Sequence, residues 1–266
     1  MSSIYQSLTR QFRSLQGARV MTTALSVVAM LLGLNGCASY TTPGAGVQLT
    51  QLADADINEL MAKQPAAKFP ARIAFTRLQA SGYSAYGTES YGNGAFSVVT
   101  AREMENEADF MKLGQMEGVA GVAPLNRILL PAQLLSIKDL RLAAARLQTD
   151  MLLVYTFDTS FHVGSQHFAP LNAIALGFLE NKEVTVTTTA SAALFDVRTE
   201  FLYGVAESTA QQSGMSSLWS EESEVDDLRK KAEQAAFKSL VPEMAKTWQR
   251  LVKQYQVKPP LAAAPQ

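Results

Sequence analysis

Apolar residues fall along the chain in short periodic blocks. Residues 20–34, VMTTALSVVAMLLGL, are an unbroken apolar run with three arginines before it. A helical spacing starts near Asp54, puts Ile57, Leu60 and Met61 on one face, and stops before Pro65. ARIAFTRL at 71–78 alternates in part and predicts a strand. ASGYSAYGTESYGNGA at 80–95 predicts a loop or hairpin tip, and FSVVT at 96–100 a second strand. Thr100 and Glu103 fit a capping box that opens a helix through Met104, Ala108 and Met111. RILL at 127–130 predicts a short strand before Pro131.

Ser136 and Asp139 mark another helix start. Leu140, Ala143, Ala144 and Leu147 give it a clean i, i+3, i+4, i+7 face. MLLVYTF at 151–157 is continuously apolar, the pattern of a strand buried on both faces. VTVTTTASAALFDV at 184–197 predicts a long strand, with FLYGVAEST at 201–209 as its hairpin partner. From Val225 to Tyr255 an apolar stripe runs through Leu228, Ala232, Leu240, Met244, Trp248 and Leu251. Pro242 inside it is expected to kink or divide the helix. The order α-β-β-α-(β)-α-β-β-β-α predicts an α/β (α+β) fold, one mixed sheet packed with helices and a long C-terminal helix.

Composition narrows the function classes. At 47% hydrophobic and 18% charged residues the chain is of globular type. A net charge of −1 leaves no basic footprint for nucleic acid. Charge is uneven: residues 1–36 hold Arg10, Arg13 and Arg19 and no acid, so the other 230 residues carry about −4. One cysteine, Cys37, excludes an intrachain disulfide framework, and two histidines are too few for a histidine-rich metal site.

The apolar run is shorter than the roughly 20 residues of a spanning helix and fits the core of a secretory signal. With the small residues behind it, Leu34-Asn35-Gly36-Cys37 resembles the lipobox of bacterial lipoproteins, with Asn35 departing from the usual small residue. The resemblance implies cleavage between Gly36 and Cys37, a diacylglycerol thioether on the Cys37 sulfur, and acylation of the new amino terminus. Ala38 in place of an aspartate then favours the outer membrane. Two or more acyl chains anchor stably, at about 0.8 kcal/mol per buried methylene. Expected boundaries are 1–36 for the signal peptide and 37–50 for a lipidated flexible tether. Residues 51–257 make a periplasmic α/β domain and 258–266 a disordered tail.

A second resemblance rests on Arg72-Ile73-Ala74-Phe75, Val98-Val99-Thr100, Ala145 to Asp150, and Ala193 to Thr199. In this order they are similar to the periplasmic α/β domain of curli-channel and TolB amino-terminal-like lipoproteins. Gln148-Thr149 and Glu200 stand where that group carries glycine-containing turns. These motifs are structural, so they imply a fold and leave function open.

Candidate chemistry is sparse. His162 and His167, with Asp158 and Ser165 nearby, read as a polar surface loop, since their spacing of five suits neither a helical nor a strand pair of ligands. Glu103, Glu105 and Glu107 are expected to diverge around a helix, and Glu221 to Glu224 to precede one. No catalytic residue, metal site or cofactor is expected. Tyr83, Tyr86 and Tyr91 in the glycine-rich loop are candidate partner contacts. FAPLNAIALGFL at 168–179 is too short to span a bilayer as a helix and reads as buried or as an oligomer contact. The sequence therefore predicts a non-catalytic lipoprotein, anchored on the periplasmic face of the outer membrane, that binds an envelope protein or its own copies. A subunit of an oligomeric outer-membrane secretion channel is the alternative. A hydrolase built on the histidines is a third.

Overall fold

In the computed structural model the chain divides into two compact units, Met1–Ala38 and Ser39–Gln266. The structure describes residues 39–41, 46, 57–86, 88–163, 166–168, 173–175, 182–216 and 222–255, all in the second unit.

Thirteen strands can be followed among the described residues, and five make the body of the fold. β1 is Ser39–Thr41, β2 Ala71–Ala80, β3 Ser84–Ala85, β4 Thr88–Glu89, β5 Asn93–Gly94 and β6 Phe96–Val99. Further along lie β7 Val119–Pro124, β8 Gln133–Leu134, β9 Met151–Val163, β10 Gln166–Phe168, β11 Ala173–Ala175, β12 Lys182–Asp196 and β13 Leu202–Ser216. The helices are α1 Ile57–Ala62, α2 Glu107–Gly114, α3 Ile137–Arg146 and α4 Glu222–Tyr255. The main sheet runs β13-β12-β9-β2-β6, with β7 added to β2 and β10 to β9. β2 is parallel to β9 and β7, and the other neighbours are antiparallel. The mixed sheet with helices and a long C-terminal helix is thus the observed architecture.

Strand alternation divides the core between two faces. Leu152, Val154, Ala193 and Phe195 point to the side covered by α3 through Leu140, Ala143 and Ala144. Phe75, Tyr155, Phe157 and Ala190 point to the side covered by α2 and α4 through Phe110, Phe237 and Leu240. α4 lies directly on β13 because Gly204 and Gly214 have no side chain. A Cβ there would come within 2.8 Å of Thr247 and of Leu228. The Trp248 indole donates to the Glu117 carbonyl at 2.8 Å and fixes the far end of the helix.

Three local readings need correction, and one helix that forms as expected buries no residue. α2 starts at Glu107, and its N-cap is Asn106, whose Oδ1 accepts from the Ala108 N–H at 3.0 Å. Tertiary hydrogen bonds take Glu103 to Thr88 and Glu105 to Tyr155, so the Thr100 capping box does not form. RILL holds a 3-10 turn, Arg127–Leu129, because the Asn126 side chain accepts from the Ile128 N–H at 3.2 Å. α1 exists but buries no residue: Ile57 is 74% and Met61 78% exposed. α4 is not divided at Pro242 and runs on as one 34-residue helix, with Leu240, Met244 and Trp248 packing on both sides of it. By contrast, α3 starts where the pattern placed it. Asp139 Oδ2 accepts from the Ser136 N–H at 3.1 Å, completing the expected cap.

Candidate functional site

Among the described residues, the densest chemistry is a charged cluster buried between the sheet and α4. Arg77 sits in the middle of apolar β2, and Asp226, Arg229 and Glu233 lie along one face of α4. All four are at most 1% exposed. Glu233 Oε2 accepts from Arg77 Nη2 at 3.2 Å and from Arg229 Nη1 at 2.9 Å, while its Oε1 accepts from Thr159 at 3.2 Å. Arg229 Nε donates to Asp226 Oδ1 at 2.8 Å, and Lys230 pairs with the other oxygen of Asp226. The Tyr83 hydroxyl accepts from Arg77 at 3.0 Å, and the Tyr155 hydroxyl donates to Glu105 at 2.9 Å. Arg77 Nε and Nη1 are buried without a hydrogen-bond partner. The guanidinium lies 4.6 Å from the centroid of the Phe157 ring, which gives it an electrostatic partner in place of an acceptor.

Burial and charge shift these groups in ways that follow from the packing. Burial works against the charge on Arg77, but Glu233 and the groups around it outweigh burial and raise its pKa. Burial first, then Glu105, pushes the Tyr155 hydroxyl well above its ordinary value. Burial likewise raises Tyr83, with Arg77 opposing it. Three cations, Arg77, Arg229 and Lys230, face four carboxylates, those of Glu103, Glu105, Asp226 and Glu233. The carboxylates outnumber the cations by one, and Glu105 is met by the neutral Tyr155 hydroxyl. The cluster ties β2, β9, α4 and the segment after β6 together, and Glu103 and Lys230 form its partly exposed rim.

The residues singled out in the sequence lie elsewhere or play other parts. Tyr83 is 3% exposed and belongs to the buried cluster, so it is not a surface contact. Tyr91 is half-buried, donates its hydroxyl to the Leu130 carbonyl at 3.3 Å and bridges to Val98. Of the three, only Tyr86, 52% exposed, keeps the expected position. Glu103 and Glu105 precede α2 and converge on the cluster, so the three acids do not diverge around a helix.

His162 and His167 are not in a loop. Their backbones pair in register on β9 and β10. Asp158 shares the strand face of His162, but four residues of extended chain set them roughly 13 Å apart, beyond hydrogen-bond reach. Among the described residues no group of three or more His, Cys, Asp or Glu could hold a metal ion. Cys37, Gly36 and Ser165 lie outside the described residues, as does most of the 168–179 stretch.

Within that stretch, Ala173–Ala175 forms β11 and pairs antiparallel with β1, as Ser39↔Ala175, Tyr40↔Ile174 and Thr41↔Ala173. A Cβ on Gly46 would come within 3.0 Å of Thr156 Oγ1 on β9. The segment expected as a flexible tether therefore touches the domain at these described points.

Two surfaces had no clear sequence signal. A cleft lined by Phe75, Phe110, Leu113, Met116, Met244 and Trp248 is almost wholly apolar. Its free volume of about 50 Å³ is far below the several hundred that a small-molecule site offers. On the opposite side of the sheet, Leu129, Leu130, Pro131 and Leu142 line an open cleft of about 300 Å³, with Asp139 and Arg146 at its polar end. Ile128, Leu135 and Leu142 in this region are 84%, 63% and 54% exposed. Nothing in local spacing separates these positions from core leucines, because the side of α3 that faces outward is itself partly apolar.

No family model matches the sequence, and comparison with characterised proteins gives no match. Solved structures give weak overlaps. A Xanthomonas campestris protein of family model DUF330 shares 12% identity at a TM-score of 0.34, over 72% of this chain and 92% of that one. A homologue of the neuraminyllactose-binding hemagglutinin from Helicobacter pylori shares 8% at 0.34, over 72% and 92%. The PelC dodecamer from Paraburkholderia phytofirmans shares 13% at 0.24, over 67% and 93%. Overlaps this slight carry no argument about what this chain does or how it assembles.

Proposed function

We propose that this chain is a lipid-anchored envelope protein that acts by binding another protein and not by catalysis. The observation that carries the proposal is Leu34-Asn35-Gly36-Cys37 behind an arginine-flanked apolar run. The second compact unit begins at Ser39, two residues beyond that cysteine. Among the described residues no helix is long and apolar enough to cross a membrane. Three acyl chains on Cys37 supply the attachment in this reading.

The described surface supports binding as the activity. Charged groups in the interior pair with one another, while the region around Ile128, Leu135 and Leu142 exposes apolar area of the kind that marks protein contact. The periplasmic face of the outer membrane is the location this reading implies. Metabolic labelling with an alkyne fatty acid tests the anchor. Label is expected on the wild-type chain and absent from Cys37→Ser. Undiminished label on that variant would sink the proposal.

A further inference from the structure

We infer that the outer edge of β13 pairs antiparallel with the same edge of a second copy of this chain, about a two-fold axis through Thr209. The inference goes beyond the binding reading above and does not depend on the lipid anchor.

β13 is fifteen residues long and ends the sheet. Its inner edge pairs with β12 from Leu202 to Ser216. Among the described residues no strand pairs its outer edge. That leaves roughly 50 Å of extended chain whose outward N–H and C=O groups lack a strand partner. Monomeric proteins guard such edges with lysine, proline, bulges or short strands. Leu202–Ser216 has no Lys, Arg or Pro and a single charge, Glu207. The one irregularity in its ladder lies at the start, beside Leu194 and Phe195.

The opposite edge of the sheet offers no match. β6 has only four residues, Tyr91 bridges to it at Val98, and neighbouring β5 is paired with β8. A head-to-tail sheet therefore has no second strand of suitable length. The long edge can meet its own kind, which is the isologous arrangement of a two-fold dimer.

Charge and length select the same register. Centred on Thr209, Leu202 meets Ser216, Val205 meets Ser213, and Glu207 meets Gln211 of the other copy. All fifteen residues then pair, and the Gln211 amide can donate to the Glu207 carboxylate. Centred on Glu207, two carboxylates would stand opposite each other, which is destabilising, and the last four residues would be left over. Val205, Glu207, Thr209, Gln211 and Ser213 form the exposed face of the strand. A two-fold axis perpendicular to the sheet keeps both copies of α4 on one side of the joined sheet.

Disulfide trapping in detergent-extracted full-length chain tests this. Thr209→Cys places two thiols opposite each other on the axis, whereas Ser213→Cys places them about 27 Å apart. Thr209→Cys is expected to trap a dimer at least about ten-fold faster than Ser213→Cys under mild oxidation. The wild-type chain is the control for any thiol at Cys37 that escaped the lipid. Sedimentation gives the second readout. The wild type is expected as a dimer, and Thr209→Lys as a monomer that keeps the wild-type far-UV circular dichroism, since like charges would then face each other at an exposed position. Equal trapping rates, a monomeric wild type, or a Thr209→Lys chain that stays dimeric would each overturn the inference.

Discussion

Asp196 holds more of the chain together than any other single side chain at the base of the sheet. Its Oδ2 accepts from the Ala66 and Ala67 N–H groups at 2.7 and 2.8 Å and from the Tyr203 hydroxyl at 2.8 Å. Its Oδ1 accepts from the Arg198 and Thr199 N–H groups at 2.8 and 3.0 Å, closing the turn between β12 and β13. Burial alone would raise its pKa. The donors outweigh burial, and the carboxyl titrates below the usual carboxylate range. A folded pKa below the unfolded value near 3.9 makes the stabilisation complete above that value and lost as pH falls through the folded one. Asp196→Asn is therefore expected to cost roughly 2–3 kcal/mol at neutral pH. It should also flatten the acid side of a urea-stability profile below about pH 4. A variant that keeps the wild-type acid slope would show that other carboxylates control it. Glu200 in the same turn and Gln148 after α3 have φ of +64° and +54°. The Glu200 carboxylate is held by Arg141 at 2.8 Å and Lys63 at 3.2 Å, contacts that help to offset the backbone strain.

Among the elements, β2 and α4 are coupled through buried charge, and Glu233 is where the coupling concentrates. Removing its charge leaves Arg77 and Arg229 facing each other in the interior, so Glu233→Gln is expected to lose roughly 3–5 kcal/mol. Arg77→Met made in the same chain should recover part of that loss, because the orphaned charge goes with it. A double-mutant cycle read by urea denaturation measures the coupling, and simple additivity would show that the two side chains act independently. This cluster was only half legible in the sequence. An arginine inside apolar ARIAFTRL and a glutamate on the apolar stripe of α4 are each anomalous for their period. Their pairing spans 156 residues, which no local pattern encodes. Elements with one buried and one covered face were read closely: β2, α3, β12 and α4 lie near their predicted positions. β9 and β13 run past their predicted ends into segments where only one face is packed. On β9, Asp158, Ser160 and His162 alternate with buried Thr159, Phe161 and Val163, an alternation obscured by the polar residues that suggested a loop. The cap of α2 was misplaced for the opposite reason, since Glu103 and Glu105 serve long-range partners in preference to the local helix end.

At the scale of the whole molecule, the way β1 joins the domain determines how an anchor at Cys37 would hold it. A free tether of residues 37–50 would let the domain wander about 20 Å from its lipid, by the scaling of flexible chains. Pairing that begins at Ser39 shortens the free span to two residues, which reach about 7 Å. β11 and β10 lie in the excursion between β9 and β12. In the proposed reading, restraint on the anchor would then come from a three-residue strand pair and not from tether length. Tyr40→Pro tests this without touching the lipidation motif, because proline removes a backbone donor and is poorly tolerated inside a paired strand. Hydrogen exchange on the lipidated chain in vesicles should become faster at Ala173–Ala175 in the variant and stay unchanged along β12. Fatty-acid labelling of Cys37 should be equal in both. Unchanged exchange at Ala173–Ala175 would mean that β1 does not restrain the anchor, and the domain would then have the full length of its tether to move on.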